Sequence, residues 1–111
     1  MRPLPGSGSP TPTPLVAVQL SAERPVIWAK LEYLNPSGSA KDRIARFILE
    51  KAWREGRVGA GSTVIEASSG STSIAMALVC AQLGMRFIAV MPEGVSNERV
   101  LIIRAYGARS A

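Results

Sequence analysis

Histidine is absent from this 111-residue chain, and cysteine occurs once, as Cys80. Without an imidazole there can be no serine–histidine–aspartate triad, and most zinc sites are excluded. A lone thiol can form neither an internal disulfide nor a metal cluster, which fits a reducing compartment. Cys80 lies in the apolar run of residues 74–81 with no base to activate it, so its predicted role is core packing. No metal site is predicted.

Long hydrophobic runs are also missing, since no stretch approaches the ~20 apolar residues of a membrane-spanning helix. The N-terminus carries Arg2 but lacks the hydrophobic segment of a secretory signal. We therefore expect a cytoplasmic protein with no membrane partner.

Aromatic residues are few, with two Trp, two Tyr and two Phe. The net charge of +5 invites a nucleic-acid interpretation, because basic surfaces neutralise phosphates. However, neither a basic run nor an aromatic stripe for base stacking occurs. The arginines are dispersed among Glu and Asp, for example at Arg24, Arg43, Arg54, Arg86, Arg99 and Arg109. A mixed solvated surface is the better interpretation, and no nucleic-acid partner is expected.

The first fourteen residues, MRPLPGSGSPTPTP, consist almost wholly of Pro, Gly, Ser and Thr. Such a segment can bury little, and each proline removes an amide donor. We expect a disordered tail over residues 1–14 and a folded part over residues 15–111.

The folded part alternates between strand-like and helix-like segments. Strands are predicted at residues 25–32, 63–67 and 86–91, and the start of a fourth strand at residues 108–111. Helices are predicted at residues 40–54 and 72–83, and a final helix is capped by Ser96 and stopped by Gly107. This alternation is typical of the α/β class, with a parallel sheet, right-handed crossovers and helices on both faces.

Two of the predicted helices have informative details. The first has Ser39 as its predicted N-cap, Asp42 as the partner in a capping box, and Gly56 as a left-handed end. Its apolar face is predicted to contain Ile44, Phe47, Ile48 and Ala52. The second helix, closed by Gly84, is apolar nearly all round, which predicts that it is sandwiched between other elements.

Ligands of open α/β sheets bind where strands lead into helices, and two loops occupy such positions. The first contains Lys41, in the first turn of its helix, where the positive end of the helix dipole disfavours a second cation. This favours a free amine, the form that makes an imine with an aldehyde. From spacing alone, a solvated lysine beside Asp42 is the better interpretation.

The second loop, residues 68–72, reads Ser-Ser-Gly-Ser-Thr and opens the second helix. Backbone amides and hydroxyls at a helix N-terminus form an anion site, and Gly70 permits close approach of the backbone. The pattern is generic, since a phosphate, a carboxylate or nothing fits it. It is neither a Walker loop nor a dinucleotide fingerprint.

Taken in order, these segments resemble a known family. PSGSAKDRIARFILEKAWREGRV resembles the cofactor-lysine segment of cysteine synthases and cystathionine β-synthases, and EASSGSTSIAMA resembles their substrate-carboxylate loop. MPEGVSNERVLIIRAYGA resembles the segment that follows, and TPLV at residues 13–16 resembles the family's opening. The resemblance implies an incomplete tryptophan-synthase-β-like fold that uses pyridoxal 5'-phosphate.

The resemblance also assigns roles. Lys41 would hold pyridoxal phosphate as a Schiff base and later carry a proton, and the protein supplies geometry while the cofactor supplies the electron sink. Ser68, Ser69, Gly70 and Thr72 would bind the amino-acid carboxylate.

Two departures from the family pattern stand out. Ser71 replaces the common Asn that donates to the cofactor's ring oxygen, and Ser73 stands where a glycine is frequent. The chain also ends before the glycine-rich loop that holds the cofactor phosphate. The resemblance therefore implies the N-terminal portion of a catalytic domain.

The implied activity is β-replacement on O-acetylserine or a serine-type substrate, with sulfide or a thiol, to make cysteine. The complete enzyme would be a homodimer, and the fragment alone would be inactive. Cystathionine β-synthase and serine or threonine dehydratase stay open within the class. Outside it, the alternative is a non-enzymatic truncated remnant or a partner-binding subunit.

Overall fold

The computed structural model describes residues 12–110. Its elements are β1 (Leu15–Val18), β2 (Ile27–Lys30), a one-turn 3-10 helix (Glu32–Leu34), α1 (Lys41–Arg54), β3 (Thr63–Ala67), α2 (Ser71–Leu83), β4 (Arg86–Val90), α3 (Asn97–Ala105) and β5 (Arg109–Ser110). Residues 1–11, most of the predicted tail, lie outside this range. Thr13, also assigned to the tail, is buried. None of the helices between residues 12 and 110 is both long and apolar enough to cross a membrane.

Three strands form a parallel sheet in the order β3-β4-β5. The predicted α/β class with a parallel sheet is confirmed. Helices α2 and α3 both connect a strand to its next neighbour in the same direction, so right-handed crossovers place them on one face. Phe87 and Ala89 are buried, whereas Ile65 and Val90 are exposed. Within residues 12–110 the helices therefore cover one face of the sheet, where helices on both faces were expected.

The first predicted strand has a different place. Residues 25–32 were expected to begin the parallel sheet, and this is wrong: β2 pairs antiparallel with β1 in a separate two-stranded sheet. The register sets Leu15 opposite Lys30 and Val18 opposite Ile27. A short connection suffices for an antiparallel pair, whereas a parallel pair needs a long crossover. The Leu31 amide extends the pairing by donating to Pro14 O at 3.0 Å.

Helix α2 lies at the centre of the core. It packs against α1 on one side and against β4 and α3 on others, which confirms the predicted sandwich. Its buried residues occur all round the helix: Ser73, Ala75, Met76, Ala77, Val79, Cys80 and Leu83. Cys80 is 1% exposed, as its predicted packing role requires, and burial raises the pKa of its thiol to about 11.

Helix α1 buries a different face from the predicted one. Ile44, Phe47 and Ile48 are 44%, 59% and 47% exposed, and the face contributes only Ala52 to the core. The buried apolar residues are instead Ala45, Leu49 and Ala52. Ala45 and Leu49 belong to the same buried cluster as the core residues of α2, so α1 joins the core through this face. The predicted helix end is confirmed, since Gly56 has φ 72° and its amide donates to Trp53 O at 2.9 Å.

Candidate active site

Lys41 is the first residue of α1, and its side chain is exposed. Between residues 12 and 110 no carboxylate forms an ion pair with its amine. The lysine follows a tight segment, residues 35–40, which we call turn 35–40. The predicted position of Lys41 in the first turn of a helix is thus confirmed, and its role stays a prediction.

Turn 35–40 is fixed by the side chain of Asn35, which is 8% exposed. Its Nδ2 donates to Glu32 O at 2.9 Å, to Glu32 Oε2 at 2.8 Å and to Ser39 O at 3.0 Å. The Gly38 amide donates to Asn35 O at 2.8 Å. The side-chain amide of Asn35, at the start of the turn, therefore links Ser39 near its end to Glu32 in the preceding 3-10 helix.

Asp42 supports the same turn, but not as a capping box. The predicted pairing with Ser39 is wrong, because the Asp42 carboxylate accepts from the Ser37 amide at 2.8 Å and from the Ser37 hydroxyl. Gly38, with φ 90°, folds the turn so that Ser37 faces Asp42. Ser39 Oγ accepts from the Lys41 amide at 3.2 Å, and Ala40 is the N-cap residue.

A second set of contacts ties the start of α1 to the hairpin. Arg43 donates to Glu32 from Nε at 2.8 Å and from Nη2 at 3.0 Å, and the Thr13 hydroxyl also donates to Glu32. Lys30 Nζ donates to Thr13 O at 3.0 Å. Arg43, followed by Thr13, holds the pKa of Glu32 at about 2. Sequence reasoning assigned no role to Glu32 or Arg43, although both lie within ten residues of Lys41 or its motif.

Loop 68–72 leaves β3 and enters α2. The Ser68 amide donates to Val90 O at 3.1 Å, and the Gly70 amide donates to Ser68 Oγ at 3.1 Å. Ser69 and Ser71 are exposed, and Ser68 and Thr72 are half-buried. Among the described residues, no protein acceptor binds the amides of Ser71, Thr72 and Ser73 at the start of α2. Such unpaired amides at a helix N-terminus suit an anion.

Gly70 has an unforeseen neighbour. A Cβ atom placed on Gly70 would lie 2.7 Å from Cζ of Arg99, and Arg99 Nη1 donates to Ser69 O at 2.6 Å. The close approach predicted for this glycine is therefore made by an arginine of α3. No short sequence window reveals this contact, because the two residues are far apart in the chain.

The structure gives the two loops a common setting. Each precedes the first turn of a helix, and the two helices, α1 and α2, pack on each other. Within residues 12–110 no hydrogen bond or ion pair joins Lys41 to loop 68–72. A cavity of about 20 Å³ adjoins turn 35–40 and is lined by Asn35, Asp42, Arg46 and Gln82, among others. It has room for about one water molecule and includes neither Lys41 nor the loop.

The chemistry of these groups fits pyridoxal phosphate and an amino acid. Lys41 offers an exposed, unpaired amine for the cofactor's aldehyde, and loop 68–72 offers hydroxyls and unpaired amides for a carboxylate. The described residues contain no group of three or more Cys, Asp and Glu side chains placed to hold a metal ion.

Comparisons with known proteins agree with this fold. The model of the pyridoxal-phosphate dependent enzyme family matches residues 7–110, and the chain belongs to that family. Cysteine synthase of Staphylococcus aureus strain N315 is 50% identical over 82 residues, which are 74% of this chain and 26% of the relative. N-(2-amino-2-carboxyethyl)-L-glutamate synthase of Cupriavidus metallidurans is 51% identical over 82 residues, 74% of this chain and 24% of the relative.

Solved structures give the same result. The crystal structure of O-ureido-L-serine synthase superposes with a TM-score of 0.82 and 40% identity, covering 89% of this chain and 32% of that one. The O-acetylserine dependent cystathionine β-synthase of Helicobacter pylori gives a TM-score of 0.81 and 37% identity, over 88% of this chain and 33% of that one. The chain thus spans about a quarter of the curated relatives and a third of the solved ones.

Proposed function

We propose that this chain supplies the reactive lysine and the carboxylate loop of a pyridoxal-phosphate-dependent β-replacement enzyme. The substrate is O-acetylserine or a similar serine derivative, and sulfide is the nucleophile, so the product is cysteine. The observation that carries the proposal is the exposed, unpaired amine of Lys41 at the start of α1, in a chain 50% identical to a cysteine synthase.

Lys41 has two tasks in this proposal. Its amine would hold the cofactor covalently. Once the substrate's amine has displaced it, the free amine would take the α-proton of the substrate as acetate leaves and return it to the same carbon when the carbon–sulfur bond forms. Pyridoxal phosphate, when bound, supplies the electron sink that makes this proton removable. Turn 35–40 fixes the backbone from which the amine extends, so the proton moves over a short, defined path.

Loop 68–72 binds the substrate carboxylate. The hydroxyls of Ser69 and Thr72 and the first-turn amides of α2 donate to it, and the helix dipole favours its negative charge. Ser71 would be the residue nearest the cofactor's ring oxygen by the family resemblance, with a side chain one atom shorter than that of Asn. The residues that bind the carboxylate recognise the part that serine-type substrates have in common.

The identity of the nucleophile is the more specific part of the proposal. The N-(2-amino-2-carboxyethyl)-L-glutamate synthase of Cupriavidus metallidurans is as similar to this chain as the cysteine synthase is. The Helicobacter pylori relative is a cystathionine β-synthase. Assays with O-acetylserine plus sulfide, homocysteine or glutamate distinguish the three activities. Keto acid released without a nucleophile identifies a dehydratase.

The attachment of the cofactor tests the proposal directly. We would replace the structurally matching segment of the Staphylococcus aureus cysteine synthase by residues 13–110 of this chain, add pyridoxal phosphate, reduce with borohydride and map the pyridoxyl group by mass spectrometry. We expect it on Lys41. The matched controls are Lys30, which contacts Thr13 O, and Lys51, which pairs with Glu55. Labelling of either control, or of no lysine, contradicts the proposal and favours a non-enzymatic remnant.

The oligomeric state is a separate part of the proposal. We expect the same chimera to be a homodimer, as inferred from the family resemblance, and light scattering measures its mass. A monomer with full activity would show that a second copy is not needed for this site.

A further inference from the structure

The peptide between Ser69 and Gly70 is held at both of its polar ends. Ser69 O accepts from Arg99 Nη1 at 2.6 Å, and the Gly70 amide donates to Ser68 Oγ at 3.1 Å. A peptide unit is planar, with its carbonyl and amide pointing in opposite directions. Rotation of this plane would therefore break both hydrogen bonds at once, so Arg99 and Ser68 together select one orientation.

The guanidinium of Arg99 also occupies the space beside the Gly70 Cα. An added Cβ would lie 2.7 Å from Cζ and 3.0 Å from Nε of Arg99, which is closer than real Cβ contacts. Since φ of Gly70 is 173°, in the extended range, backbone conformation alone does not demand glycine here. A side chain at residue 70 would therefore have to displace the guanidinium from this position.

The charge of Arg99 adds a second effect. Arg99 is the third residue of α3, and between residues 12 and 110 no carboxylate forms an ion pair with it. Its positive charge lies at the N-terminus of α2, where the helix dipole is also positive. Both charges favour an anion at loop 68–72.

We propose that Arg99 is a positioning residue for substrate binding, which fixes the Ser69–Gly70 peptide so that the loop's amides and hydroxyls face a carboxylate. The identity of that anion as an amino-acid carboxylate rests on the function proposed above. The fixed peptide itself does not.

Kinetics of the Staphylococcus aureus chimera provide the first test. Arg99→Gln should raise KM for O-acetylserine about tenfold, the scale of losing one charge-assisted hydrogen bond, with kcat changed less than about twofold. Arg99→Lys should recover part of the loss. The matched control is Arg104→Gln, since Arg104 lies on the same helix, is exposed, and donates to Ser110 Oγ at 3.1 Å. A fall in kcat with unchanged KM overturns the positioning role.

A double-mutant cycle tests the contact. Gly70→Ala should raise KM in the presence of Arg99, because the new methyl group displaces the guanidinium. In the Arg99→Ala background the same change should have a much smaller effect, since the space is then open. Equal effects in both backgrounds overturn the contact between Gly70 and Arg99.

Hydrogen exchange of the Gly70 amide needs no activity. Exchange should accelerate about tenfold in Arg99→Gln and stay unchanged in Arg104→Gln, because only the first releases the peptide that the amide belongs to. If the chimera lacks activity but the exchange difference is found, the function fails and the positioning role stands. An unchanged exchange rate in Arg99→Gln overturns the proposal even in an active chimera.

Discussion

Turn 35–40 and loop 68–72 are built in opposite ways. The turn contains the buried side chain of Asn35, which binds Glu32, and its Ser37 amide binds the buried carboxylate of Asp42. Glu32 is held in turn by Thr13 and Arg43. The loop exposes Ser69 and Ser71, and among the described residues Arg99 is the one side chain from another element bonded to it. Under the function proposed above, the residue that attaches the cofactor follows a firmly held turn, and the residues that bind the substrate lie in a loop with fewer contacts.

The largest expected effect is a loss of catalysis, without a loss of stability, when the amine of Lys41 is removed. In the Staphylococcus aureus chimera, Lys41→Ala should lower kcat by about 10³-fold or more, the scale of losing a positioned acid–base group. Its free energy of unfolding should change by less than about 0.5 kcal/mol, because the side chain is exposed. Steady-state kinetics and urea unfolding measure the two quantities, with Lys51→Ala as the control on the same helix. Activity within tenfold of the unmodified chimera would remove Lys41 from the mechanism.

The contrast in rigidity predicts a contrast in stability. Asn35→Ala should destabilise the chimera by about 1–3 kcal/mol, because the half-buried carbonyl oxygens of Glu32 and Ser39 lose their donor. Ser69→Ala in the loop should cost less than about 0.5 kcal/mol, since its side chain is exposed. Urea unfolding followed by circular dichroism gives both values. Equal losses in the free energy of unfolding would show that turn 35–40 and loop 68–72 are held equally firmly.

A smaller effect is expected when Ser71 is replaced by Asn, the residue that is common at this position in the family. Ser71→Asn should add one direct hydrogen bond to the cofactor, worth about 0.5–1.5 kcal/mol net. Retention of pyridoxal phosphate during dialysis, or turnover, should then improve about two- to tenfold. Ser96→Asn, at an exposed serine before α3, is the control. No change in either quantity would mean that the loop already compensates for the shorter side chain.

The smallest expected effect is the loss of the stabilisation by Glu32 at acidic pH. Arg43, followed by Thr13, holds the pKa of Glu32 at about 2, below its ordinary value of 4.5. With a lowered folded-state pKa, the stabilisation is complete above about pH 4.5 and is lost as the pH falls towards about 2. NMR titration of the Glu32 carboxyl carbon should show this low midpoint. Arg43→Gln should raise the midpoint, and Arg54→Gln, at the exposed end of α1, should not. A midpoint near 4.5 in the unmodified protein contradicts the network.

Local patterns predicted those features that depend on local chemistry. Gly56, Gly84 and Gly107 mark the ends of the three helices, and the all-round apolar character of α2 predicted its sandwiched position. The strand at residues 63–67 was predicted with its observed bounds, and the strand at residues 86–91 extends one residue beyond β4. These signals lie within a few residues of the feature that they specify.

Features that depend on distant partners were missed. The pairing of β2 with β1 is set by a neighbouring strand whose sequence gives no clear pattern, and the buried face of α1 is the one that joins the core cluster around α2. At the site, motifs located Lys41 and loop 68–72, but not the groups that support them. Glu32 binds Arg43 across 11 positions, and Arg99 binds Ser69 across 30.

The burial of Cys80 has a practical consequence. It is the sole thiol of the chain, lies at the centre of α2, and carries a pKa raised to about 11. At neutral pH it is both covered and protonated, so a thiol-specific reagent reacts with it when the surrounding core opens. The rate of its modification therefore measures how often the core around α2, the layer between α1 and the sheet, opens locally.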